Sequence, residues 1–505
     1  MLSFTVFPAY MDIQPILAQE EGLDPQDWTD IRQLGHQMLD DMMDYLENIG
    51  TRPVWTKPSD AARAHLQQPL PLTPTPLSDI YADFQTHILP YNKGNVHPRF
   101  WSWVQGTGSP FAMLADMLAS GMNPNTAIGD HAAMYVEQQV LGWCKAMLGF
   151  PETGSGLLVS GGSLANITAL IVARNAFGER RIRQEGVLAR GDRLALYTST
   201  ETHACVTKAA EVMGLGSQSV RLIPVDAQFR MRTDLLRQRI AADRAQGFTP
   251  FCVVGNAGTV NTGAIDPLET IWEICQTENL WFHVDGAFGA LAKLTPEYRD
   301  ALMPIEKADS LAFDLHKWMY LPYEIGCVLV RDAAAHRAAF ASEPSYLVSH
   351  ERGLAAGPDP MSHYGLELSR GFKALKVWMS FQEHGIEKLT RLIRQNIAQA
   401  FYLGECVASY PDLELLTPVT MNLVCFRYHP EGTVSESELN RINQEILMQL
   451  HEKGLSAPSY TMLNGRYAIR VANVNHRSRK ADFAALAEDV AQLGRAIWAH
   501  EKGLP

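Results

Sequence analysis

Six short apolar runs, separated by segments of helical periodicity, constrain the fold of this 505-residue chain more than any other feature. A run of this length that is apolar throughout is typical of a strand buried on both faces, and helices between such strands favour parallel pairing. The pattern therefore predicts an α/β fold with a mostly parallel, doubly wound sheet. The six predicted strands are Gly156–Ser160, Arg193–Thr198, Phe251–Gly255, Leu280–Asp285, Ser310–Asp314 and Gly326–Arg331.

The segment before this region predicts a helical arm and an extended linker. Asp24-Pro25 suits the N-cap and first position of a helix, and apolar residues recur at helical spacing between Ile31 and Tyr45. In Gln68–Leu77 each proline restrains the residue before it, which favours extended backbone. We expect residues 1–95 to form this arm and linker.

The segment after the predicted sheet has a different order of elements. Beyond residue 380 the pattern predicts a helix, strands near Leu413–Tyr428, a second helix, strands near Ala468–Val471 and a closing helix from about Lys480. This order is typical of a smaller α+β domain. The sequence therefore predicts a large domain over residues 96–380 and a smaller one over 381–505.

Charge and cysteine content exclude several classes of function. The formal net charge of −12 argues against a nucleic-acid partner or an anionic membrane surface, and no apolar stretch is long enough to span a bilayer. The seven cysteines are scattered, odd in number and without a C-x-x-C pair. We therefore expect neither a zinc site nor a disulfide framework, and the cytoplasm is the favoured location.

Two candidate functional segments lie at the ends of predicted strands, where the chemistry of a doubly wound sheet gathers. In Val159–Asn166 a paired-glycine turn precedes a helix, so backbone N–H groups of Gly162 and the hydroxyl of Ser163 suit a phosphate. The same segment also resembles the nucleophile elbow of a serine hydrolase. In His283–Gly289, Asp285 suits a metal ligand, a general base or the counter-ion of a buried cation.

Two further segments contribute an amine and an imidazole. Lys317 directly follows a predicted strand, between His316 and Trp318, and partial burial there would make its amine a nucleophile toward aldehydes. His203 follows the strand that ends at Thr198. Taken singly, such a lysine is more often a surface ammonium, and such a histidine is more often a hydrogen-bonded core residue than a catalyst.

Together the four segments indicate a pyridoxal 5'-phosphate (PLP) site. Such a site needs a lysine to bind the cofactor's aldehyde, an acid beside the ring nitrogen and a cradle for the phosphate. Lys317, Asp285 and the turn at Gly162 supply all three at strand ends of one predicted sheet. The sequence therefore predicts PLP as the cofactor.

The chain resembles the group II PLP-dependent decarboxylases, a family that includes aromatic-L-amino-acid, glutamate, histidine and tyrosine decarboxylases. The resemblance covers most of the chain from about His97 and rests above all on HVDGAFG followed by DLHKW. It implies PLP-dependent fold type I, with a seven-stranded sheet, and a homodimer with shared active sites. The remaining similar segments are HPRFWSWV, AMLADML, GGSLAN, GTVNTGAIDPL, PSYL and SRGFKALKVW.

The resemblance also implies roles for individual residues. Lys317 would hold the cofactor as a Schiff base, and Asp285 would pair with the protonated ring nitrogen. Ala287 would pack on one face of the ring and His203 would stack on the other. The residues implied around the phosphate are Gly162, Ser163, Asp314 and His316.

A tyrosine in a predicted mobile loop bears on the type of reaction. Tyr346 lies in the loop Ser342–Asp359, which in the family closes over the substrate. The resemblance implies that this tyrosine protonates the carbanion after CO2 leaves. A phenylalanine there would indicate oxidative deamination, so Tyr346 favours plain decarboxylation of an amino acid.

The predicted substrate pocket departs from the aromatic branch of the family. Trp103, with Trp101 as a further candidate, suits an aromatic side chain such as that of tyrosine, tryptophan or phenylalanine. Asn125 stands in a segment expected from the partner subunit, and Asn125 and His131 would suit a polar substrate. An aromatic L-amino acid is favoured, with an acidic or other polar amino acid as the alternative.

Three alternatives of other kinds remain at this point. A PLP aminotransferase or aldehyde synthase would use the same cofactor but release a keto acid or an aldehyde. A serine hydrolase would use Ser163 as nucleophile with His476 as its histidine, although this leaves DLHKW unexplained. A catalytically silent protein of the same fold would serve only as a partner.

Overall fold

The computed structural model describes residues 14–177, 181–187, 191, 193–342 and 350–503. These form two compact units, which are described separately. The first takes in the chain up to Asn48 together with Pro58–Asn92, and the second takes in Ile49–Lys57 and the chain from Lys93 onward.

The first unit is helical. The predicted start of its long helix at Asp24 is wrong, because α2 begins at Thr29, where Asp27 Oδ1 accepts a hydrogen bond from the Thr29 amide at 2.9 Å. The proline-rich stretch between α3 and α4 carries no helix or strand, as expected, although Leu77 already belongs to α4. The four helices are α1 (Gln14–Leu17), α2 (Thr29–Glu47), α3 (Asp60–His65) and α4 (Leu77–His87).

The second unit contains two β-sheets. Its strands are β1 (Phe100–Trp101), β2 (Ser155–Val159), β3 (Arg193–Ser199), β4 (Val220–Ile223), β5 (Phe248–Asn256), β6 (Trp281–Asp285), β7 (Ser310–Asp314), β8 (Gly326–Val330), β9 (Leu413–Leu415), β10 (Leu423–Tyr428), β11 (Ala457–Leu463) and β12 (Arg466–Ala472). Its helices are α5 (Pro110–Met122), α6 (Ala132–Leu148), α7 (Gly162–Phe177), α8 (Arg181–Glu185), α9 (Cys205–Val212), α10 (Thr233–Ala245), α11 (Leu268–Glu278), α12 (Arg299–Leu302), α13 (Leu315–Trp318), α14 (Ala333–Phe340), α15 (Ala374–Ala408), α16 (Glu436–Glu452) and α17 (Lys480–Lys502).

The larger sheet confirms the predicted fold class. Its seven strands lie in the order β2-β8-β7-β6-β5-β3-β4, and all pairs are parallel except the two that involve β8. The six predicted strands are all present within a few residues of their expected bounds. The strand β4 was not predicted, because it is short and carries Arg221 and an exposed Leu222 on the sheet edge.

The smaller sheet is built mostly from the C-terminal part of the chain. Its order is β1-β11-β12-β10-β9, so the short strand at Phe100–Trp101 joins a sheet whose other strands come after residue 412. The helix α15 runs across residue 380 and departs from helical backbone at Gly385, where φ is 65°. The closing helix α17 begins at Lys480, as predicted.

The helices packed on the larger sheet explain why the site residues lie at the ends of its strands. The core of the larger sheet joins buried side chains of β5 to β8 to those of α6, α7 and α11. With both faces covered, polar side chains reach open space chiefly where the strands end. Among the described residues, no helix is both long enough and apolar enough to cross a membrane.

Candidate active site

A cavity of about 480 Å³ opens at the carboxyl ends of the central strands of the larger sheet. Its walls come from the turns that follow β2, β3, β6 and β7 and from the end of β5. It brings together most of the residues singled out in the sequence. Those that line it are Trp103, Gly162, Ser163, His203, Asp285, Ala287, Asp314, His316 and Lys317.

The turn between β2 and α7 presents a helix N-terminus to the cavity. β2 ends at Val159 and α7 begins at Gly162, so the first backbone N–H groups of a 16-residue helix have no partner within the helix. A Cβ atom at Gly162 would lie 2.9 Å from Asp314 Oδ2 and 3.2 Å from Ala287 Cβ. Only glycine fits this position without displacing its neighbours, and the arrangement suits close approach of a phosphate.

Lys317 is held on a short helix beside a buried acid. Its Nζ lies 2.7 Å from Asp314 Oδ2, and the Asp314 side chain is 2% exposed. Within the described chain, the other carboxylate oxygen of Asp314 has no hydrogen-bond partner. The neighbouring His316 places Nδ1 2.8 Å from the Ile325 carbonyl, and burial lowers the pKa of His316. Lys317 and Asp314 therefore line the cavity as a close pair of amine and acid.

Asp285 ends β6 as a buried carboxylate at the cavity. Burial raises the pKa of Asp285, while the backbone N–H of Ala287 and the positive charge of Lys317 act in the opposite direction. The Ala287 N–H donates to Asp285 Oδ1 at 3.1 Å. A buried carboxylate is costly unless a cation pairs with it, and a protonated ring nitrogen would be such a cation.

A chain of hydrogen bonds behind Asp285 fixes the orientation of Asn166. Trp281 Nε1 donates to Ser310 Oγ at 2.8 Å, Ser310 Oγ lies 2.8 Å from His283 Nδ1, and His283 Nε2 lies 2.7 Å from Asn166 Oδ1. Since an amide oxygen only accepts, His283 carries its proton on Nε2 and donates it to Asn166 Oδ1. Nδ1 of the neutral ring then accepts from the Ser310 hydroxyl, which itself accepts from the indole of Trp281.

The consequence of this chain is a fixed amide nitrogen at the cavity. Burial lowers the pKa of His283 to about 3, so its ring stays neutral. With its oxygen engaged, Asn166 directs its amide nitrogen to the Gly162 carbonyl at 2.9 Å, and its side chain also lowers the pKa of Asp285. Asn166 thus links the glycine turn to the acid.

Some cavity residues were not predicted. Asn166 was part of the motif GGSLAN but was given no role, and the end of β5 adds Asn256 to the wall. Tyr323 and Glu324 follow Lys317 in sequence and line the cavity, with the Tyr323 ring 4.3 Å from that of His316. No periodicity or motif in the sequence indicates that this loop returns to the cavity.

The two tryptophans of HPRFWSWV have different environments. Trp103 lines the cavity and is 55% exposed, with Lys93 Nζ 4.4 Å from its ring centre. Trp101 was a further pocket candidate, and that prediction is wrong. Its ring is buried against Phe483, and its Nε1 donates to Ser478 Oγ at 3.0 Å, because β1 joins the smaller sheet.

Three other predicted residues lie outside this cavity wall. Asn125 Oδ1 accepts hydrogen bonds from the backbone N–H groups of Ala127 and Arg370, each at 3.1 Å, and His131 directly precedes α6. Neither Asn125 nor His131 lines the cavity of its own chain. His476 places Nε2 2.9 Å from the Gly108 carbonyl and is likewise not among the lining residues, so it does not join Ser163. Tyr346 lies outside the described residues.

Comparisons with known proteins identify the family to which the chain belongs. A family profile described as the pyridoxal-dependent decarboxylase conserved domain matches residues 58–429. The chain belongs to this family. Its cofactor is PLP, and the glycine turn, the buried Asp285 and the amine of Lys317 fit that group. The reaction is the decarboxylation of an amino acid.

Individual relatives of this decarboxylase match almost its whole length. An aromatic-L-amino-acid decarboxylase of Bacillus atrophaeus is 34% identical, over 93% of this chain and 96% of the relative. A phenylacetaldehyde synthase of a Rosa hybrid cultivar is 28% identical, over 92% and 94%. The crystal structure of Oryza sativa TDC with PLP and tryptamine superposes with a TM-score of 0.86 at 25% identity, over 94% of this chain and 100% of that one.

Proposed function

We propose that this decarboxylase acts on an aromatic L-amino acid, of the tyrosine, tryptophan or phenylalanine type, and releases the corresponding amine and CO2. The observation that carries the proposal is the exposed indole of Trp103 at the cavity, accompanied by the aromatic rings of Phe288 and Tyr323. Similarity to an aromatic-L-amino-acid decarboxylase and to a structure with bound tryptamine supports it.

Within this proposal, Lys317 and Asp285 carry the central chemistry. Lys317 Nζ would hold the cofactor through its aldehyde, and Asp314 Oδ2 keeps this amine in position at 2.7 Å. When bound, PLP supplies an electron sink for the pair left behind as CO2 departs. Asp285 keeps a proton on the ring nitrogen, because a buried carboxylate favours a cation beside it.

Other residues bind and orient. The first N–H groups of α7, with the Ser163 hydroxyl, would bind the phosphate, and His316 lines the same cavity. His203 and Ala287 would hold the cofactor ring. His203 Nδ1 accepts from the Cys205 N–H at 3.2 Å, which leaves the other ring nitrogen for the substrate side.

Tyr346 is proposed to protonate the substrate carbon after CO2 leaves, which gives an amine as product. The phenylacetaldehyde synthase among the relatives makes aldehyde formation the competing outcome. Both reactions release CO2, so the nitrogen product separates them: an amine in the first case, and ammonia with an aldehyde, formed with consumption of O2, in the second. Replacement of Tyr346 by phenylalanine should move the product ratio toward the aldehyde.

We further propose a homodimer in which each subunit completes the other's site. Exposed apolar side chains on α5, among them Met117 at 55% and Met122 at 61%, form a surface that a second copy would cover. Asn125 follows this helix and, in a dimer, would reach the partner's cavity. Light scattering of the active enzyme should give twice the chain mass, and an active monomer would contradict the proposal.

A cytoplasmic location is also proposed, because all seven cysteines are free and six of them are buried. Such thiols persist in a reducing compartment. Fractionation of the source cells should recover the activity with cytoplasmic markers, and recovery from an oxidising compartment would contradict it.

The substrate proposal is tested with a panel of L-amino acids assayed for CO2 release and amine. The panel contains tyrosine, tryptophan, phenylalanine, glutamate, aspartate and histidine at equal concentrations. We expect the highest kcat/KM with one of the aromatic members. A preference for glutamate or aspartate would overturn the aromatic assignment and leave the decarboxylase class intact.

A further inference from the structure

Three potential metal ligands meet in the first unit. His65 is the last residue of α3, and Asp83 and His87 lie on one face of α4, one turn apart. His65 Nε2 lies 2.6 Å from Asp83 Oδ1, and His87 Nδ1 lies 2.8 Å from the same oxygen. The three donor atoms all lie within 4.8 Å of one another.

The two imidazole rings lie face to face beside one carboxylate. Their centres are 4.0 Å apart and their planes differ by 17°. Each ring directs one nitrogen toward the same Asp83 oxygen, at 2.6 Å and 2.8 Å. Three donor atoms gathered this closely can share one divalent cation.

The chemical types of the three ligand atoms determine which cations the site favours. Two imidazole nitrogens and a carboxylate oxygen suit zinc and its neighbours in the transition series, whereas magnesium and calcium prefer all-oxygen sites. The side chains are only partly buried, with exposed fractions of 29%, 43% and 28% for His65, Asp83 and His87. Water can therefore reach the site and complete a four-coordinate shell.

A neighbouring amide is placed to support one ligand. The exposed Gln68 places its amide nitrogen, Nε2, 3.2 Å from His65 Nδ1. A half-turn of this amide would bring its oxygen to the ring to accept the Nδ1 proton, which would leave the lone pair of His65 Nε2 for a metal. Metal-bound histidines commonly have such a partner on their second nitrogen.

We propose that His65, Asp83 and His87 form a binding site for a zinc-type divalent cation that ties the end of α3 to the end of α4. The proline-rich connector lies between these helices in sequence, so a bound cation closes the loop that contains it and limits its freedom. Cysteine spacing gave no sign of this site, because its ligands are histidine and aspartate from two helices.

The test is a titration of the metal-stripped holoenzyme with Zn2+ in competition with a chelating dye. The wild-type chain should bind one zinc that a His65→Ala/His87→Ala variant does not. Loss of a partner of a metal-bound histidine weakens metal affinity about 10–100-fold, so loss of a ligand should weaken it at least about 10-fold. The matched control is His36→Ala, an exposed histidine of α2 in the same unit, which should leave the affinity unchanged.

An isosteric change guards against a folding artefact. Asp83→Asn keeps the size and a hydrogen-bonding oxygen but removes the charge, so it should weaken zinc binding at least about 10-fold with an unchanged circular dichroism spectrum. Visible absorption of added Co2+ provides a second readout, with bands that the two variants lose. The proposal is overturned if the wild type binds no zinc, or if both variants bind it as tightly as His36→Ala.

Discussion

The cavity has two sides that differ in burial. We relate the buried side to the type of reaction and the exposed side to the choice of substrate. The cofactor wall, formed by Gly162, Asn166, Asp285, Asp314 and Lys317, is almost entirely buried. The rim is formed by Trp103, Val260, Tyr323 and Glu324, and three of these four residues are exposed. The wall residues lie on strands of the larger sheet and on the helices that follow them, whereas the rim residues lie in loops.

This contrast explains why the reaction was easier to infer than the substrate. A buried polar group needs specific partners, so few residue types satisfy the wall and its motifs are distinctive. The exposed rim tolerates substitution with little effect on folding. Relatives that decarboxylate aromatic amino acids and one that forms an aldehyde therefore share the fold.

The largest expected effect on the wall, short of removing the lysine, comes from Asp285→Asn. The amide no longer stabilises a proton on the ring nitrogen, so kcat should fall by about 10²–10⁴-fold, the usual range for an acid–base group. The measurement is steady-state decarboxylation with saturating PLP. The control Asp300→Asn alters an exposed acid and should retain full activity. Near-normal kcat in Asp285→Asn would remove Asp285 from the chemistry.

The next effect concerns the glycine turn. Gly162→Ala places a methyl group 2.9 Å from Asp314 Oδ2, and the strain of such overpacking, about 1–3 kcal/mol, should weaken PLP affinity by about 5–150-fold. Gly142→Ala is the matched control, because a Cβ there meets nothing within 4 Å. Fluorescence titration of the apoenzyme with PLP gives both values. Equal affinities would show that the turn does not set the phosphate position.

A smaller effect is expected from the hydrogen-bond chain behind the wall. His283→Ala removes the partner of the buried Asn166 amide oxygen and one of the two partners of the Ser310 hydroxyl, which should lower the free energy of unfolding by about 1–3 kcal/mol. Urea unfolding of the holoenzyme measures this. Unchanged stability combined with unchanged PLP affinity would mean that these hydrogen bonds do not hold Asn166 in place.

The smallest effect is expected at the rim. Trp103→Ala should raise KM for the aromatic substrate about 5–10-fold, in keeping with about 1–1.5 kcal/mol for an aromatic contact, and leave kcat nearly unchanged. Trp103→Phe should retain most of the affinity. A collapse of kcat in Trp103→Ala would place this residue in the chemistry rather than in recognition, and the contrast between wall and rim would fail.

The same contrast describes what the sequence could and could not predict. The central strand Phe248–Asn256 was predictable because its segment Phe251–Gly255 is buried throughout and contains no charged residue. The edge strand Val220–Ile223 was missed because it is short and its middle carries Arg221 and the exposed Leu222. The helix start at Asp24 was wrong because Asp27, three residues on, supplies the competing hydrogen bond.

Site residues follow the same rule. Lys317 and Asp285 follow directly from strand ends and distinctive motifs, so the sequence predicted their meeting at the cavity. Tyr323 and Glu324 were missed because their position depends on the return of a loop, which no local pattern encodes. Trp101 was wrongly considered for the pocket. Its true position depends on the pairing of β1 with residues after 456, which no local pattern around Trp101 reveals.

The most direct test of the account is to locate the cofactor on the chain. The holoenzyme is treated with borohydride, digested and analysed by mass spectrometry, with Lys317→Ala as the control. We predict that the visible absorption band disappears on reduction and that the cofactor remains covalently attached to the peptide containing Lys317, with no activity and no such band in Lys317→Ala. Attachment to another lysine, or full activity of Lys317→Ala, would contradict the proposed site.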